Sequence, residues 1–121
     1  MPQTKILIVD DSKDILEGMR MFLELKKYVV QTLTDAINIL EHITTFNPDI
    51  LILDIYLSGA DGRELCKKLK ESDETKNLKI ILFSAATNAL KDFQSYGADA
   101  YLDKPFGLEE ISNKIEAVLK N

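Results

Sequence analysis

Ile6-Leu7-Ile8-Val9-Asp10-Asp11-Ser12 is the stretch on which the fold turns. Four apolar residues in unbroken succession read as a strand covered on both faces, the kind that parallel sheets use. Two acids and a serine suited to start a helix follow at once. The same arrangement recurs downstream, where Ile50-Leu51-Ile52-Leu53 runs into Asp54 and Leu78-Lys79-Ile80-Ile81-Leu82-Phe83 runs into Ser84. Two weaker runs complete the series. Tyr28-Val29-Val30 passes into Gln31 and Thr32, and Ala100-Tyr101-Leu102 is short, so both read as edge strands.

Between the runs the apolar period becomes helical. Ile15, Met19, Phe22 and Leu23 share one face, as do Ala36, Ile37, Leu40 and Ile43. Leu65 with Leu69 follows, then Ala89, Leu90 and Phe93, and last Leu108, Ile111, Ile115, Val118 and Leu119. Ser12 or Asp11 is placed to start the first helix, Asp35 the second, and Gly97 to follow the fourth. Met19 and Met21 read as helix packing, Cys66 as small packing volume, His42 as an exposed helix residue and the acidic stretch 71–74 as a solvated helix end. Strand then helix, repeated five times, predicts a doubly wound parallel α/β sheet with right-handed crossovers and helices on both faces. One domain spanning residues 1–121 is expected, long enough to bury roughly two-thirds of its unfolded surface.

The formal charge of −5 disfavours contact with nucleic-acid phosphates, so no direct nucleic-acid binding is expected. A lone cysteine excludes an internal disulfide and suits a reducing compartment. No apolar run approaches the ~18–20 residues that cross a bilayer. A cytoplasmic location without membrane attachment is expected.

In open α/β sheets ligands bind beyond the carboxyl ends of the strands. Asp10 and Asp11 lie there after the first run, Asp54 after the third, Ser84 after the fourth, and Lys104 with Pro105 after the fifth. Two carboxylates ~4 Å apart repel by about 4 kcal/mol at an effective dielectric of 20. Lys104 supplies a single positive charge against three acids. A divalent cation that prefers hard oxygen is the natural remedy, and Mg²⁺ keeps water ligands and recruits phosphate. Such a site would hold a phosphoryl group through the metal, Lys104 and the Ser84 hydroxyl, and a facing carboxylate can attack it to form an acyl phosphate.

Residues 6–12 (ILIVDDS), 49–62 (DILILDIYLSGADG), 80–85 (IILFSA) and 97–106 (GADAYLDKPF) together resemble the receiver (CheY-like) domain of two-component response regulators, over essentially the whole chain. The resemblance implies a flavodoxin-like (βα)5 fold with strand order 2-1-3-4-5. It implies that Asp54 is the phosphoacceptor, that Asp11 and Asp54 ligate Mg²⁺ directly (Mn²⁺ could substitute), that Asp10 acts through a water, and that the Tyr56 carbonyl completes the protein ligands. By the same likeness Lys104 pairs with Asp54 and then with the phosphoryl oxygens, and its bond to Pro105 is cis. Ser84 is the switch hydroxyl and Tyr101 the aromatic that follows it. Tyr56 and Ala86 border the path of the hydrolytic water, where a bulky Tyr56 is expected to shield the acyl phosphate.

Implied partners are a histidine kinase or histidine phosphotransfer protein as donor, and a downstream protein or output domain. The molecule would act as a monomer or a phosphorylation-dependent dimer, and as a phosphoacceptor rather than a turnover enzyme. Ser58 stands where the family often has proline, so a looser stretch from residue 57 to 62 is expected. An electron carrier of the same strand order is disfavoured, because Asp10-Asp11-Ser12-Lys13 would repel a flavin phosphate. A phosphatase with an aspartate nucleophile would want an acid where Tyr56 stands, and no glycine-rich nucleotide loop is present. The other reading is a degenerate receiver that only docks proteins, against which the complete set of acids, hydroxyl and lysine argues.

Overall fold

The computed structural model describes residues 3–84, 93–103 and 107–120. In chain order its elements are β1 (Lys5–Val9), α1 (Lys13–Leu25), β2 (Val29–Leu33), α2 (Ile39–Phe46), β3 (Ile50–Asp54), β4 (Tyr56–Leu57) and β5 (Ala60–Asp61). Then come α3 (Gly62–Glu71), β6 (Lys79–Ser84), a 3-10 turn (Phe93–Tyr96), β7 (Ala100–Asp103) and α4 (Leu108–Leu119). The main sheet has five parallel strands in the order β2-β1-β3-β6-β7, which is 2-1-3-4-5 once the small β4–β5 hairpin is set aside. The two weak runs are its edges, as their polar content requires.

Side-chain alternation sends each central strand to two cores. Leu7, Val9, Leu51, Leu53, Ile80 and Leu82 meet Ile39 and Ile43 of α2 and Cys66 and Leu69 of α3. Ile6, Ile8, Ile50, Ile52, Ile81 and Phe83 meet Leu16, Met19 and Leu23 of α1 and Ile111, Ile115 and Val118 of α4. Burying each such side chain is worth about 1.5–3 kcal/mol, and the near-continuous apolar runs follow from both faces being covered. Burial pushes the Cys66 thiol up to about 12. Lys70 of α3 donates to Asp99 at 2.8 Å and to the Leu78 carbonyl at 2.7 Å, while Asp99 also accepts from the Ile80 amide. That network ties α3 to the start of β6 and to the approach to β7.

Several local expectations are corrected. In α1 it is Leu16, not Ile15, that is fully buried with Met19 and Leu23, whereas Met21 lies outside the core at 58% exposure. Asp35 does not start α2. Its Oδ1 accepts from the Ile37 amide in a turn, and the helix begins at Ile39. Ile37 and Leu40 consequently face solvent, and Ile39 and Ile43 take the core positions. Residues 56–61 form the β4–β5 hairpin, whose two-residue Ser58-Gly59 loop uses glycine at φ 75°, and Gly62 opens α3. His42 is half-buried beside a shallow cavity lined by Thr32, Thr34, Asp35 and Asn38. Gly97, at φ 84°, closes the 3-10 turn; Ala89 and Leu90 of the expected fourth helix lie outside the described residues.

Candidate functional site

β1 and β3 run in register, Val9 opposite Leu53, so the next residues, Asp10 and Asp54, emerge side by side at the carboxyl edge of the sheet. The Asp10 amide donates to the Leu33 carbonyl at 3.1 Å, prolonging the β1–β2 ladder by one residue. Its Oδ1 accepts from the Ser12 amide at 2.8 Å. Ser12 Oγ in turn accepts from the Ile15 amide, so α1 starts immediately behind the acids. Asp54 Oδ1 accepts from the Tyr56 amide at 3.1 Å, and the Ile55 amide donates to the Phe83 carbonyl at 3.1 Å.

One carboxylate oxygen from each of Asp10, Asp11 and Asp54 lies within 4.8 Å of the others. Asp10 and Asp54 are buried and Asp11 is exposed. Hard oxygen donors of this kind suit Mg²⁺ or Mn²⁺. Ligands ~2.1 Å from one ion stand at most about 4.2 Å apart, so oxygens within 4.8 Å of one another are close to the span of a single coordination sphere. The donor set fits such an ion.

Ser84 ends β6 fully buried, one place beyond Phe83, which pairs with Asp54, and opposite Asp103 of β7. Tyr101, half-buried in β7, has its ring centroid 4.8 Å from that of Phe93 at an interplanar angle of 44°. Lys114 Nζ of α4 stands 5.4 Å from the Tyr101 ring centroid. Tyr56 is exposed. Lys104, Pro105 and Ala86 lie outside the described residues.

Sequence reasoning passed over Gly62. Asp61 Oδ1 accepts from the Arg63 amide at 2.9 Å and caps α3, and bonding to the Arg63 guanidinium holds the Asp61 carboxyl below its usual range. The helix then opens on Gly62, where a Cβ would stand 2.2 Å from the Asp54 carbonyl oxygen. The sequence offers a faint signal for this, an Asp-Gly pair at a helix start.

Comparison with known proteins agrees with this geometry. The family description "Response regulator receiver domain" matches residues 6–116. Response regulator MprA of Mycobacterium ulcerans is 34% identical over 118 residues, covering 96% of this chain and 50% of its own length. The chain thus spans about half the length of the curated relatives it matches. A CheY-like response regulator receiver domain protein from Methanospirillum hungatei superposes with a TM-score of 0.89 at 30% identity, covering 98% of this chain and 95% of that one. Response regulator TrrA from Thermotoga maritima, crystallised in complex with Mg²⁺-BeF, gives a TM-score of 0.85 at 30% identity, with 96% and 99% covered. No helix among the described residues is long and apolar enough to cross a membrane. With an acidic cluster fit for a phosphoacceptor at the carboxyl edge of a 2-1-3-4-5 sheet, the chain belongs to the response regulator receiver domain family.

Proposed function

We propose that this domain relays a signal by accepting a phosphoryl group on Asp54 from a phosphohistidine of a histidine kinase or histidine phosphotransfer protein. The observation that carries the reading is the convergence of Asp10, Asp11 and Asp54 within 4.8 Å. In an in-line transfer, an Asp54 carboxylate oxygen forms the new O–P bond while the P–N bond to the donor imidazole breaks and the imidazole leaves with the electron pair. Asp11 and Asp54, with Asp10 through a water and the Tyr56 carbonyl, would hold Mg²⁺ or Mn²⁺, which would supply positive charge for the phosphoryl group. That the Thermotoga relative holds Mg²⁺ and a beryllofluoride supports carrying this ion to the present chain. The Tyr56 amide donates to one oxygen of Asp54 and so helps fix the orientation of the carboxylate. Lys104 offsets charge on the phosphoryl group, and the amino end of α1 adds a weaker positive field.

The Ser84 hydroxyl then turns to the new oxygens, and Tyr101 follows, altering the surface offered to a downstream protein, an output domain or a second copy. Tyr101→Ala should still accept phosphate while its partner affinity stops responding; a normal response would refute the coupling. Tyr56→Ala should hydrolyse its acyl phosphate faster, and an unchanged rate would remove the shielding role. The domain carries one phosphoryl group at a time and turns over no separate substrate. Intact-mass analysis after incubation with phosphoramidate and Mg²⁺ tests the core reading. One added phosphoryl group, absent with EDTA and removed by hydroxylamine, is the expected result. A protein-docking module would take up neither phosphate nor beryllofluoride, and that outcome would overturn the proposal.

A further inference from the structure

Of the five glycines, Gly62 alone abuts backbone among the described residues. A Cβ at Gly62 would meet the Asp54 carbonyl oxygen at 2.2 Å, the Ile55 Cα at 2.8 Å and the Asp54 carbonyl carbon at 3.0 Å. All three belong to the main chain, so no side chain can swing aside to make room. Among the described residues nothing stands within 4 Å of a Cβ at Gly18, Gly59 or Gly107, and at Gly97 the nearest atoms belong to the Lys70 side chain. Conformation does not explain the choice either. Gly62 is the first residue of α3 and is not among the glycines at positive φ, which are Gly59 and Gly97. Intrinsic helix propensity would favour alanine there. Space is what selects glycine.

We infer that Gly62 is a positioning residue for the reaction at Asp54: its bare Cα lets the first turn of α3 close against the acceptor's peptide and so sets where the Asp54 carboxylate stands relative to Asp10 and Asp11. This rests on the reading of Asp54 as phosphoacceptor. Gly62 donates its amide to the Ile55 carbonyl at 2.9 Å, and the intervening hairpin pairs Tyr56 with Asp61 and Leu57 with Ala60. The segment between acceptor and helix therefore has little slack to absorb a displacement. Relaxing a 2.2 Å approach to the 3.4 Å of ordinary contact requires movement of about 1.2 Å, and a misplacement near 1 Å costs reactions of this kind about 100-fold. The Tyr56 amide, bonded to Asp54 Oδ1, reports such a movement without any metal or phosphate present.

The test compares Gly62→Ala with Leu69→Ala, which opens a cavity under the same helix on the core side. In metal-free protein the Tyr56 amide of Gly62→Ala should shift and exchange about tenfold faster, with the Ile52 amide unchanged. Labelling by phosphoramidate at saturating Mg²⁺ should fall about 100-fold, while Leu69→Ala, although less stable, stays within about threefold of the parent. Gly62→Ala that labels like the parent, or Leu69→Ala that loses as much, overturns the inference. Failure of Gly62→Ala to fold, with or without Mg²⁺, also overturns it, because the glycine would then serve the whole fold. Absence of label on the parent itself would instead refute the reading of Asp54, and the metal-free Tyr56 amide would still decide the role of Gly62.

Discussion

Asp10→Asn isolates the electrostatic premise of the site. The substitution keeps the side chain's shape and the Oδ1 that accepts from the Ser12 amide at 2.8 Å. It removes one charge from a cluster whose oxygens lie within 4.8 Å, and the new amide can donate to a neighbouring carboxylate. Two unit charges at 4.8 Å repel by about 3.5 kcal/mol at an effective dielectric of 20. Exposure of Asp11 and solvent screening reduce this, so metal-free protein should gain about 1–2 kcal/mol, or roughly 3–8 °C in Tm. The assay is thermal and urea unfolding in EDTA and across a Mg²⁺ titration. The parent should gain about 1.4 kcal/mol when Mg²⁺ reaches ten times its Kd, whereas the variant should start higher and respond less. A variant less stable than the parent in EDTA, or stabilised equally by Mg²⁺, would refute the argument.

Asp99→Ala should cost about 1.5–3 kcal/mol in urea unfolding, since it removes the acceptor of the Ile80 amide and leaves the Lys70 ammonium, 16% exposed, with the Leu78 carbonyl as its remaining partner among the described residues. A loss below about 1 kcal/mol would show that the pair is mere surface decoration. Because burial raises the Cys66 thiol to about 12 from an unfolded value of 9.0, the folded state keeps that proton longer. Its stabilising contribution is complete below pH 9.0 and declines by up to about 1.4 kcal/mol per pH unit above it, a slope that Cys66→Ala should lack on urea unfolding at pH 8–11. Lys114→Met keeps the aliphatic stem and removes the cation over Tyr101, worth about 0.5–1 kcal/mol, so the balance of Tyr101 rotamers seen by NMR should change about two- to fivefold. Unchanged Tyr101 ring signals would show that the contact is neutral.

The sheet was legible because its central strands are sandwiched. Ile6 to Val9 and Ile50 to Leu53 must be apolar at every position, and no helix face gives that pattern. The acids were legible for a related reason, since residues just past such runs have nowhere to go but the sheet edge. Helix faces were harder to read. α1 carries more apolar residues than one face can bury, and only three-dimensional packing decides that Leu16 goes in and Met21 stays out. In α2 the phase was lost because Asp35 spends its carboxylate on a turn, which delays the helix to Ile39 and rotates Ile37 and Leu40 to solvent. Gly62 escaped notice because its importance lies in a contact with a strand end across the intervening hairpin. Periodicity carries no trace of such an approach.

The most direct measurement is phosphoryl uptake by Asp54→Asn beside the parent, with phosphoramidate and Mg²⁺ and again with a phosphohistidine donor. The account predicts one hydroxylamine-labile phosphoryl group on the parent and none on the variant, which should remain folded because its Oδ1 still accepts from the Tyr56 amide. Equal labelling of both proteins would contradict it.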